Sequence, residues 1–112
     1  TFMTRQSIAR SWSEFLVDHP LVLGPITTSP PFDASWEVVP ENVLAMLPGF
    51  RFVVPINLLG LPAVAVPVSG TDRRPSAVQV IARWFHEADC LRAGEVIEAK
   101  QQLATPIDPV RG

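Results

Sequence analysis

A single cysteine, Cys90, in 112 residues excludes an internal disulfide, so no covalent staple holds this chain. Its thiol fits a reducing compartment, although a secreted protein without disulfides would look the same; a cytoplasmic location is expected. Lysine is equally scarce, Lys100 standing alone. Nine basic residues face eleven acidic ones, and Arg73-Arg74 is the only basic pair. A nucleic-acid surface needs a concentrated positive footprint, so no nucleic-acid partner is expected. No apolar run reaches the ~20 residues of a spanning helix. Thr1-Phe-Met-Thr-Arg-Gln-Ser7 lacks the basic region and apolar core of a signal peptide, so no membrane partner is expected either. A first residue other than methionine fits a trimmed start or a piece of a longer chain.

Apolar residues are plentiful. They make up 47% of the chain, enough for the core of one domain. Twelve prolines sit beside apolar runs and form no low-complexity tract, so wholesale disorder is not expected. The most informative stretch is Asn57 to Arg83. Two β-rich segments flank Ser69-Gly-Thr-Asp-Arg-Arg-Pro75 and read as adjacent antiparallel strands joined by a turn. In the first, Val64, Val66 and Val68 share one face and Ala63, Ala65 and Pro67 the other. Pro67 has no N–H for a ladder, which predicts an edge, a bulge or a strand end. In the second, Ala77 to Ala82, Gln79 is the polar exception, and a buried amide there needs partners. Covering both faces of such a sheet takes more than the roughly three helical segments available. An incomplete domain is therefore expected.

The first element reads as a helix over about 4–18, with Ile8, Trp12, Phe15 and Leu16 as its apolar stripe, ending near His19 because Pro20 cannot continue it. Leu21-Val22-Leu23 suits a short strand buried on both faces, closed by Gly24-Pro25. Prolines at 25, 30, 31 and 40 predict a long loop, in which Phe32 and Trp36 would pack over an apolar surface or pocket. A short helix over 41–47 should stop at Pro48-Gly49. Residues 50–59 permit a strand or a helix; Pro55 at a possible first helical position favours helical turns leading into Gly60. The last helix starts near Glu87, with acids at its beginning and Lys100 at its end, as the helix dipole favours. Cys90, Leu91, Gly94, Ile97 and Gln101 form its expected inward stripe. Gly94 suits either a close helix-to-sheet contact or an open surface. Residues 105–112, with Pro106 and Pro109, read as a tail.

Chemistry is harder to find. His19, His86 and Cys90 are too dispersed for a zinc site, and His86/Cys90 reads as a flanking histidine and a buried thiol in preference to a nucleophile with its base. Lys100 lies on a solvated face, with nothing to depress its pKa. Ser29, Ser35, Ser69 and Ser76 stand in loops without a glycine-rich elbow. Glu87 and Asp89 are too close in sequence to face one another across a bond on a helix. The glycines form no phosphate-binding loop. Of the aromatic set Trp12, Phe15, Phe32, Trp36, Phe50, Phe52, Trp84 and Phe85, most read as core; Phe32 and Trp36 remain as candidate substrate-lining residues because they lie in a loop.

Asn57-Leu-Leu-Gly-Leu-Pro-Ala63, Val66-Pro67, Ala77-Val-Gln-Val-Ile81 and Phe85-His-Glu-Ala-Asp-Cys-Leu91 with Glu98 occur in an order that resembles the C-terminal part of the amidase signature family. Trp12-x-x-Phe15, Asp18-His-Pro-Leu-Val-Leu-Gly-Pro25 and Pro31-Phe32 extend the resemblance, which runs from about Arg10 to Ala99. Ala77 stands where the family usually has glycine, and Ser69 and Ser76 also depart from its pattern. The resemblance implies an α/β fold, part of a mixed central sheet covered by helices, occupying 1–104 and followed by the tail. It also implies a parent enzyme of several hundred residues that cleaves carboxylic amides, using a serine nucleophile, a second serine in a cis peptide and a lysine. Those catalytic groups precede the matched segment, so no catalytic residue is assigned here. Substrate-binding roles fall to Phe32 and Trp36. No cofactor or metal is implied; the expected partners are a small-molecule amide and the missing N-terminal portion or a partner chain. The alternative is a noncatalytic structural or interaction protein with the same partial fold.

Overall fold

In the computed structural model, residues 1–29, 32–69 and 75–101 are described. Three strands, β1 (Leu21–Pro25), β2 (Ala63–Ser69) and β3 (Pro75–Ala82), form a sheet in the order β1-β3-β2. Both pairings are antiparallel: Leu21 faces Ala82 and Leu23 faces Val80 on one side, while Ala63 faces Ile81 and Val66 faces Val78 on the other. The expected pairing of the two β-rich segments thus holds, and the proline-bearing β2 is an edge strand. The turn at 70–74 and the tail at 105–112 lie outside the described residues.

Directly paired residues point to one face of a sheet, so the register divides the side chains into two layers. Val22 and Ile81 turn toward α1 (Phe2–Asp18) and α3 (Val54–Leu59), where Leu16, Ile56, Leu59 and Leu61 complete a buried cluster flanked by Ala9, Trp12 and Trp84. Leu21, Leu23, Val64, Val66, Val78 and Val80 share the opposite face. There α4 (Glu87–Gln101) lies across β2 and β3. A side chain at Gly94 would begin 3.4 Å from Val66 Cγ2 and 3.6 Å from Val64 Cγ1. The glycine therefore marks a close helix-to-sheet contact.

Local chemistry sets the element ends. Thr1 caps α1 by accepting the Thr4 N–H at its hydroxyl, and the helix stops before Pro20. Helix α3 starts with Pro55 in its first turn and ends at Gly60, whose φ of 70° lies in the left-handed region that glycine adopts without steric cost. Helix α2 (Pro40–Met46) is followed at once by a 3₁₀ segment, Leu47–Phe50, so Pro48 tightens the chain into a second turn in place of stopping it. A second 3₁₀ turn, Trp36–Val38, punctuates the long loop.

Burial departs from expectation at three places. Strand β1 is not covered on both faces: Leu21 and Leu23 are 41% and 64% exposed, because β1 is the second edge and α4 does not reach over it. Along α1 only Leu16 of the expected stripe is fully buried, and Ile8 and Phe15 stay open. On α4 the inward face follows Cys90, Gly94 and Ile97, which leaves Leu91 rotated outward and exposed.

Candidate functional site

The loop after β1 is fixed at its root. Thr27 Oγ1 accepts the Ser29 N–H at 3.1 Å, and the Thr28 N–H donates to the Gly49 carbonyl at 2.9 Å. A side chain on Gly49 would meet Ser29 Oγ at 3.0 Å and Thr27 Oγ1 at 3.2 Å, so the crossing of these segments depends on glycine. Sequence reading missed this junction, since an isolated glycine beside a proline carries no sign of what crosses it.

Beyond the root, Phe32 and Trp36 come together, their ring centroids 5.2 Å apart and tilted by 36°. The Trp36 backbone is held on both sides: its N–H donates to Asp33 O at 3.1 Å, and its carbonyl accepts from Asn42 Nδ2 at 2.8 Å. Asn42 therefore ties the aromatic pair to α2. Phe32 is half-open and Trp36 partly covered, a surface able to accept an apolar or planar group. Gln79, buried on β3, donates its amide to the Phe52 carbonyl at 3.2 Å, and Phe52 packs over Gly24 of β1. The partner that a buried amide at 79 demands is thus a backbone carbonyl of the segment entering α3.

The other reactive groups are each engaged apart from one another. The Cys90 thiol points at the carbonyls of Pro62 and Val80, both 3.6 Å away, and burial pushes its pKa up. His86 Nδ1 instead meets Asp89 Oδ2 at 2.9 Å, so His86 and Cys90 do not form a base–nucleophile pair. Asp89 also lies 4.0 Å from Arg92, which makes it the centre of a small surface charge cluster. His19 stacks on Phe15 at 4.3 Å, far along the chain from that cluster. Ser69 donates its hydroxyl to Gln101 Oε1, which also receives the Ser69 N–H, and Lys100 is exposed on the last turn of α4. Among the described residues no three His, Cys, Asp or Glu side chains converge as metal ligands. Open grooves are lined by Pro20, Leu21, Asp89, Arg92, Ala93 and Val96, and by Ser11, Trp12, Phe15 and Val22; Phe32 and Trp36 line neither.

Comparison with known proteins gives this arrangement its context. No family model matches the chain. A glutamyl-tRNA(Gln) amidotransferase subunit from Oenococcus oeni is 31% identical over 101 residues, 90% of this chain and 20% of that protein. An indoleacetamide hydrolase of Bradyrhizobium diazoefficiens is 38% identical over 96 residues, 84% of this chain and 18% of its own length. The crystal structure of the corresponding glutamyl-tRNA(Gln) amidotransferase subunit from Thermotoga maritima superposes with a TM-score of 0.78 at 28% identity, over 96% of this chain and 24% of that one. The chain is homologous to a part of the amidase-signature proteins. It spans about a fifth of the length of the curated relatives it matches. The shared architecture is mixed α/β, a small antiparallel sheet flanked by helices.

Proposed function

We propose that these residues form the C-terminal portion of an amidase-type serine hydrolase that cleaves carboxylic amide bonds. The supporting observation is the match of nearly the whole chain to about a fifth of proteins named for amide chemistry. In this reading the serine nucleophile, its cis-peptide serine and its lysine lie in the larger, preceding part of the parent. That division agrees with the chemistry present: the one thiol is buried, the one lysine is solvated and Ser69 is engaged by Gln101. The segment completes the sheet and supplies one wall of the substrate pocket through Phe32 and Trp36. The substrate class is a small carboxamide with an apolar or planar acyl or leaving group, and the parent works in a reducing, cytoplasmic setting.

The test begins with the complete open reading frame, expressed and assayed for ammonia release from a panel of carboxamides that includes indoleacetamide. Turnover that stops when the upstream serine is replaced supports the proposal. A stable complete product with no serine–serine–lysine set and no amide hydrolysis overturns it in favour of a structural or interaction protein. Within an active parent, Trp36→Ala is expected to raise KM about 10-fold with a smaller effect on kcat, the cost of one aromatic contact to bound substrate. An unchanged KM removes Trp36 from the pocket.

A further inference from the structure

Among the described residues Gln79 is the one polar side chain that is buried, on β3, the central strand of the sheet. Its cross-strand neighbours on that face are Gly24 of β1 and Ala65 of β2. Both are small, so the segment ahead of α3 can come down onto the sheet beside the amide. The Phe52 ring passes 3.8 Å from where a Cβ on Gly24 would stand, and the Phe52 carbonyl accepts from Gln79 Nε2 at 3.2 Å. From Phe52, contacts run back to the aromatic pair by two routes. Gly49 accepts the Thr28 N–H at the root of the loop, where Thr27 and Ser29 leave no room for a side chain on the glycine. Helix α2, which leads directly into the 3₁₀ turn holding Gly49, supplies Asn42 to the Trp36 carbonyl. Residues 40–53 thus form a brace between the sheet and the pair Phe32 and Trp36.

Resting on the pocket reading above, we propose that Gln79 is a positioning residue for substrate selectivity. Its amide fastens the brace to the sheet, and the brace holds Trp36 where the planar group of an aromatic carboxamide docks. A buried amide costs stability unless it is bonded, and an apolar residue would fill this position without that demand. What the amide adds is direction: it holds one carbonyl, that of Phe52, in one place on the sheet. Stacking on an aromatic ring depends on offset and tilt, so a small displacement of Trp36 weakens the hold on a planar group. A short aliphatic amide has little surface to lose there.

The complete parent carries the test, with the aromatic carboxamide it turns over best and propionamide as the small reference. Gln79→Met keeps the length of the side chain and removes the donor. It is expected to raise KM for the aromatic substrate about 5-fold with less than about a 2-fold change in kcat, and to lower selectivity over propionamide accordingly. In a Trp36→Ala background the same substitution should add less than about 2-fold, because Gln79 acts through Trp36. Hydrogen exchange gives a readout independent of turnover: the amides of 49–53 and of Thr28 should exchange about 10-fold faster in Gln79→Met, with those of α4 unchanged. Gly49→Ala forces the crossing apart from the loop side and should reproduce the KM effect, which keeps the test open if Gln79→Met does not fold. A KM raised by Trp36→Ala but not by Gln79→Met or Gly49→Ala overturns this proposal and leaves the pocket reading standing. Full additivity of Gln79→Met with Trp36→Ala overturns it too. If none of the substitutions moves KM, or the parent hydrolyses no amide, the pocket reading fails and takes this proposal with it.

Discussion

Gly94 fixes how closely α4 can approach the sheet. Its virtual Cβ lies 3.4 Å from Val66 and 3.6 Å from Val64, the near edge of ordinary contact. Alanine adds about 1 kcal/mol of helix propensity, which the tight contact offsets, so Gly94→Ala should change the stability of the complete protein by less than about 1 kcal/mol. Gly94→Leu has no room and should cost about 1–3 kcal/mol through overpacking. Denaturant unfolding of the two variants checks this, and a neutral leucine would show that α4 stands further off. Cys90, one helical turn earlier, is held protonated: burial is the main cause of its raised pKa, the charges of Asp89 and Glu87 add to it, and the backbone at Ala82 opposes it. The unfolded chain therefore releases this proton at lower pH than the folded one. Its contribution to stability is full below the ordinary thiol range and falls as pH rises above that range. The complete protein should lose stability there, and Cys90→Ala should flatten that part of the pH profile.

At the scale of elements, what is legible in the sequence is what neighbouring residues decide. Alternating Val64-Ala65-Val66 and the turn-forming run after Ser69 identify the β2–β3 pair, and Pro67 identifies its edge. Helix α3 is readable from Pro55 and Gly60 against a competing strand pattern. Gly60→Ala should cost about 1 kcal/mol, because no atom lies within 4 Å of the added methyl group and the penalty is the left-handed backbone alone. Gly60→Asn should cost less, since asparagine tolerates that conformation; thermal unfolding of the pair separates backbone strain from packing. The features that escape the sequence depend on distant chain. Leu21-Val22-Leu23 has the composition of a doubly buried strand, yet its exposure is decided by α4 ending its coverage one strand away. Leu91 is apolar and adjacent to Cys90, but the helical face that meets the sheet is chosen by Gly94. In the candidate site, Phe32 and Trp36 are legible as aromatics stranded in a loop, while the Asn42 bond that positions Trp36 is not.

For the molecule as a whole, exposed apolar surface outweighs the core. Leu16, Ile56, Leu59, Leu61 and Ile81 form one small buried cluster, whereas Phe2, Met3, Val17, Leu23, Leu44, Leu58, Phe85 and Val96 are all more than half exposed. Phe85 is the extreme case, 91% exposed on a backbone with φ of 67°, a conformation a bulky residue adopts only when its surroundings impose it. Burial of each such side chain is worth about 1.5–3 kcal/mol. A chain of this size has only about 5–15 kcal/mol of net stability to draw on. The 112 residues expressed alone should therefore bind a hydrophobic dye, unfold without a sharp transition and associate as concentration rises. Coexpression with the remainder of the parent should suppress all three, because one set of contacts would cover α1, β1 and the groove beside α4 together. A sharply melting, dye-silent monomer of the isolated chain would mean that these faces are a finished surface, and the case for a larger fold would have to rest on sequence similarity alone.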